Sequence, residues 1–120
     1  MKRTFLCAAV ILGACGVAFG HAFVDHASPK VGSTVSVMPT EVCIWYTDNL
    51  QEAGSTIEVY DANGKEVDKK DSHLDGKDKS EMIVTLLPLS AGTYTVKWHA
   101  VCVDTHKTND TFEFTYKPAG

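Results

Sequence analysis

Alternation of apolar and polar residues with a period of two constrains this chain more than any other feature. In Glu41–Tyr46 the residues Val42, Ile44 and Tyr46 fall on one side. Tyr94, Val96 and Trp98 do the same within the long run 93–103, and Phe112, Phe114 and Tyr116 within 111–116. Successive side chains of an extended strand point to opposite faces, so each run reads as a strand with one buried face. Residues 57–60 and 82–87 add two more such runs. Asp61-Ala62-Asn63-Gly64 reads as a hairpin turn into residues 65–68, and Leu89-Ser90-Ala91-Gly92 turns the chain into the long run. Residues 69–81, dense in charge of alternating sign, read as a solvated loop that carries His73. With an N-terminal strand near residues 21–28 the count reaches about seven short strands and no helix. The expectation is an all-β domain, an immunoglobulin-like Greek-key sandwich.

Ahead of this β-rich region, Lys2 and Arg3 precede an apolar stretch over residues 6–17 and the small-x-small pattern Ala18-Phe19-Gly20. That is the layout of a secretory signal peptide, with cleavage leaving a domain over 21–120 whose first residue is His21. The apolar stretch is shorter than the roughly 20 residues that span a bilayer. Leu12-Gly13-Ala14-Cys15 also fits a lipobox, at which cleavage and lipidation on Cys15 would leave His21 inside the chain. Residues 21–120 hold 9 Lys and no Arg against 15 Asp and Glu, a formal charge of −6. A domain that acidic has no electrostatic footprint for nucleic acid.

Cys7 and Cys15 lie in the leader, so the domain keeps Cys43 and Cys102. In an oxidising compartment a lone pair of cysteines commonly forms a disulfide, and closing a loop of about 60 residues stabilises a fold by roughly 4 kcal/mol in the chain-entropy view. Two thiols that bind copper are the rival reading, since thiolates favour Cu(I).

Three features converge on a metal site. An N-terminal histidine offers a free α-amine and an imidazole that together chelate one ion, and the amine's ordinary pKa of about 7.7–8.0 lets a metal displace its proton near neutrality. Asp104 and His106, two apart in Val103-Asp104-Thr105-His106, share a side on an extended strand. Two imidazoles, one amine and one carboxylate form an N,O donor set suited to tetragonal Cu(II). Alone, Asp-x-His reads better as a turn carboxylate beside a surface imidazole.

The surrounding residues add to this. Gly92-Thr93-Tyr94-Thr95-Val96-Lys97-Trp98-His99-Ala100-Val101-Cys102-Val103-Asp104-Thr105-His106-Lys107 resembles the closing strand of the CopC family of periplasmic copper-binding proteins. His21-Ala22, the segment Ala27-Ser28-Pro29-Lys30-Val31-Gly32-Ser33 and residues 41–49 resemble that family's opening His, its Ser-x-Pro segment with the following Gly-Ser, and its second strand. The resemblance implies a seven-stranded β-sandwich holding Cu(II) between the N-terminal histidine and the Asp-x-His pair, here His21, Asp104 and His106. It also implies a periplasmic, non-enzymatic role in copper tolerance, storage or delivery, to a partner such as a membrane copper transporter. A monomer with no polysaccharide ligand is expected.

The chain departs from the family pattern in three places. Phe23 stands where a second histidine is frequent, Cys102 where serine is usual, and the domain carries only Met38 and Met82 where some members have a methionine-rich Cu(I) loop. Both methionines read as core or turn residues, so no dedicated Cu(I) site is expected. His26, near the N-terminus, and His99, beside Trp98, are candidates for groups that orient a ligand. Two other readings remain: a histidine-brace copper monooxygenase, which needs open the position that Asp104 would fill, and a metal-free immunoglobulin-like module.

Overall fold

A computed structural model of the chain describes residues 22–120, so His21, the leader and Cys15 lie outside the described residues. Eight strands follow in order: β1 (Val24–Ser28), β2 (Thr34–Val35), β3 (Glu41–Tyr46), β4 (Thr56–Tyr60), β5 (His73–Leu74), β6 (Glu81–Thr85), β7 (Gly92–Val101) and β8 (Lys107–Tyr116). No helix occurs among the described residues. The strands form two four-stranded sheets, one ordered β1-β3-β6-β5 and the other β2-β8-β7-β4. All pairings are antiparallel except β2 with β8. This is the sandwich the alternation demands.

The inward faces are the predicted ones. Val42, Ile44 and Tyr46 of β3 and Met82 and Val84 of β6 meet Ile57 and Val59 of β4, Tyr94, Val96, Trp98 and Ala100 of β7, and Phe112 and Phe114 of β8, all buried. Tyr46 and Trp98, from opposite sheets, pack edge to face with centroids 5.3 Å apart. Tyr94 and Phe114 stack across the β7–β8 pair at 5.4 Å. Truncating an aromatic such as Trp98 in such a core costs about 3–5 kcal/mol.

The Asp61–Gly64 turn forms, with Asp61 Oδ1 accepting from the Asn63 and Lys65 amides and Gly64 at φ +82°, where glycine is unstrained. Residues 65–68 make only isolated bridges, Glu66 with Tyr60 and Asp68 with Leu86.

Residues 69–81 correct the expectation of a merely solvated loop. Ser72 Oγ exchanges hydrogen bonds with both the amide and carbonyl of Ile57, and Leu74 is buried against the core from β5. The preceding Asp68, 4 % exposed, accepts from the amides of Val59 and Lys70. Two backbone donors satisfy the buried carboxyl. His73 is exposed, as expected, with Nδ1 2.9 Å from the Asp71 carbonyl.

The Cys43–Cys102 disulfide is overturned: among the described residues the two thiols are not joined to each other. The reason is parity. Val42, Ile44 and Tyr46 point into the core, so Cys43 points to the outer face of its sheet, where its thiol donates to Glu41 Oε1 at 3.4 Å. Cys102, fully buried, belongs to the core side at the far end of β7. Burial first, and the Glu41 and Glu81 carboxylates after it, push the Cys43 thiol up to about 12.

Candidate metal centre at the β7–β8 turn

Strands β7 and β8 pair over ten residues, from Gly92 opposite Tyr116 to Val101 opposite Lys107. Past Val101 the Cys102 amide donates to the His106 carbonyl at 3.0 Å, and the Thr105 amide returns to the Cys102 carbonyl at 2.8 Å. The loop between the closing residues is therefore Val103-Asp104-Thr105, a β-turn followed by a residue in the left-handed region, since Thr105 has φ +76°. A β-branched residue is strained there, where glycine is the usual occupant. Asp104 and His106 thus belong to a tight turn rather than to the extended strand predicted for them. They converge because the turn folds back, not because of strand alternation.

The convergence is close. Asp104 Oδ2 lies 3.2 Å from His106 Nδ1, a separation that either a hydrogen bond or a shared ion can join. Asp104 Oδ1 accepts from the Cys102 thiol at 2.7 Å. One donor atom each from Cys102, Asp104 and His106 lies within 4.8 Å of the other two. Metal–ligand bonds of about 2.0–2.3 Å hold two donors on one ion no more than roughly 4.5 Å apart, so a small side-chain rotation closes the set. The residues therefore fit a metal ion. Asp104 and His106 are exposed and Cys102 is buried beneath them.

The electrostatics are set by these same contacts. The Cys102 hydrogen bond is the largest influence holding the Asp104 carboxyl below its usual range, with the His106 amide and ring adding to it. Burial raises the Cys102 thiol, and the adjacent Asp104 raises it further.

Two segments brace the turn, the first of them residues 49–51. Gln51 donates from Nε2 to the Cys102 carbonyl at 3.1 Å, and its amide donates to the Val101 carbonyl at 2.7 Å. The Val103 amide donates to the Asn49 carbonyl, and Leu50 bridges Cys102. The second is the start of the described residues: Ala22 is 1 % exposed, and its carbonyl accepts from Thr108 Oγ1 at 2.7 Å. Thr108 is two residues beyond His106, so the chain enters the fold against the same hairpin end.

Of the predicted site residues, Asp104 and His106 come together, while His21 lies outside the described residues. His26 stacks on Trp45 with centroids 4.5 Å apart, its Nδ1 2.7 Å from Asp25 Oδ2. His99 faces away from the Trp98 side, opposite Asn109 and Thr56. Among the described residues neither joins the group of metal-ligating donors. Sequence reading missed Cys102 as a member of that group, although the spacing Cys102-x-Asp104-x-His106 was visible.

The CopC domain matches residues 24–117. The chain belongs to the CopC family. Protein YobA of Escherichia coli K12 is 27 % identical over 100 residues, covering 82 % of this chain and 81 % of that protein. The crystal structure of CopC from Methylosinus trichosporium OB3b superposes with a TM-score of 0.77 at 27 % identity, over 83 % of this chain and 97 % of that one. PcoC, a methionine-rich copper resistance protein from Escherichia coli, superposes with a TM-score of 0.71 at 28 % identity, over 81 % and 99 %. The CopC likeness therefore spans both sheets and the turn between β7 and β8.

Proposed function

We propose that this chain is an exported, non-enzymatic copper-binding protein of the periplasm, serving copper tolerance, storage or delivery. Cu(II) is held by the α-amine and imidazole of His21, as first residue of the mature chain, with Asp104 and His106. The observation that carries the reading is the Asp104–His106 pair at the tip of the β7–β8 hairpin, with Ala22 tied to Thr108 beside it. Chain connectivity supports the rest, because the residue before Ala22 is one peptide link, about 3.8 Å between Cα atoms, from a carbonyl anchored to β8. The family and the copper resistance role named for PcoC support copper as the ion. The ion supplies the charge that the carboxylate, amine and imidazoles recognise, and a membrane copper transporter is the fitting recipient.

Titration of protein beginning at His21 with Cu(II), followed by electron paramagnetic resonance, is expected to give a type-2 spectrum with nitrogen coupling. His21→Ala, or one extra residue placed ahead of His21, should weaken binding by at least about tenfold, as losses around metal sites do. Unchanged affinity in both would overturn the proposed ligand set.

A further inference from the structure

The function proposed above uses the hard donors of the turn and leaves a sulfur atom unexplained. Cys102 has its Sγ against Asp104 and within 4.8 Å of a His106 ring nitrogen, and is fully buried under the exposed pair. A disulfide with Cys43 does not account for it, since Cys43 faces the opposite side of the other sheet. Its place in the core is set by packing, and its direction by the turn, where the thiol donates to Asp104 Oδ1 at 2.7 Å and lies 3.4 Å from the His106 carbonyl. We propose that Cys102 is a copper ligand reserved for the reduced ion, so that the turn holds Cu(I) through Cys102 Sγ and the His106 imidazole. This rests on copper being the ion of the site.

The chemistry follows from donor softness. Thiolate selects Cu(I), carboxylate and amine suit Cu(II), and imidazole serves both. His106 is thus common to two overlapping donor pairs, with the Asp104 oxygen on one side and the Cys102 sulfur on the other. When Cu(I) enters, the S–H bond of Cys102 breaks, an Sγ–Cu bond forms and the proton leaves to solvent. The copper arrives already reduced, so no electron is transferred. PcoC is described as methionine-rich. Residues 21–120 here carry only Met38 and Met82, one in a loop and one wholly buried in the core, and neither joins the donor group.

The test uses protein beginning at His21 as wild type, Cys102→Ser and Cys43→Ser, each checked for a native circular dichroism spectrum. Anaerobic competition for Cu(I) against a chromogenic cuprous chelator should show Cys102→Ser weakened by at least about tenfold and Cys43→Ser unchanged. X-ray absorption of the Cu(I) wild type, which needs no variant, should show a sulfur neighbour at about 2.2–2.3 Å. A Cu(I) shell of nitrogen and oxygen only, or a Cys102→Ser affinity within twofold of wild type, overturns the inference. Cu(II) titration of the same samples separates the two readings. Normal Cu(II) binding with no sulfur in the Cu(I) shell sinks this inference alone, Cu(I)–sulfur ligation without Cu(II) binding sinks the Cu(II) site alone, and binding of neither ion sinks both.

Discussion

Single side chains in this molecule are placed by the company their polar atoms keep. Tyr46 is the exception: its ring packs on Trp98, yet its hydroxyl is buried with no hydrogen-bond partner among the described residues. Burial alone pushes its ionisation above the usual tyrosine range. An unsatisfied buried hydroxyl costs about 1–3 kcal/mol, whereas the ring contributes the packing. Tyr46→Phe is therefore expected to leave stability unchanged or raise it by up to roughly 1 kcal/mol. A urea midpoint lowered by the equivalent of more than about 1 kcal/mol would show that the hydroxyl is stabilised. At this scale the sequence was legible where one rule governed a residue and misleading where two competed. Asp104 and His106 were readable as a pair from their spacing. Cys43 and Cys102 were misread because compartment chemistry was allowed to outweigh position. The alternation that sends Val42, Ile44 and Tyr46 inward already turns Cys43 outward.

At the scale of elements, long strands were legible and short ones were not. β3, β7 and β8 announce themselves because their own residues alternate. β2 and β5 are two residues each and exist because Thr115, Tyr116, Met82 and Ile83 lie alongside to receive them. The turn that carries the site escaped for another reason: its left-handed position holds Thr105, where local preference asks for glycine. The segment that ends in β5 is tied to β6 by Asp71, whose Oδ1 accepts from the Thr85 amide at 2.8 Å. That hydrogen bond is the main reason the Asp71 carboxyl is held below its ordinary value. A depressed acid contributes stability that is present above the unfolded value of about 3.9 and is lost as pH falls through the folded value. Wild-type urea midpoints should thus fall on acidification below about pH 4, and part of that fall should be missing in Asp71→Asn. Parallel acid limbs for the two proteins would count against Asp71 as a source.

For the whole molecule, the two sheets are joined by packing, and the turn is braced from the 49–51 segment and from Ala22 at once. A ligand bound there in the folded state alone should stabilise both sheets together. At free Cu(II) about 100 times Kd the gain is roughly 2.7 kcal/mol, which for a domain of this size raises Tm by about 10–20 °C. Calorimetry with and without copper measures it directly. His106→Ala should lose most of the rise, and a chelator should reverse it in the wild type. A rise of the same size in His106→Ala would place the ion elsewhere. The architecture itself was readable from the sequence, since an all-β chain of this length with one-faced strands has few ways other than a sandwich to hide those faces.

The outward turn of Cys43 has a consequence for the molecule's life between compartments. With Cys43 and Cys102 not joined to each other, packing between the two layers holds them together. If copper binds at the β7–β8 turn as proposed, a swing in ambient redox poise would act on the ion there without breaking a bond between the two sheets.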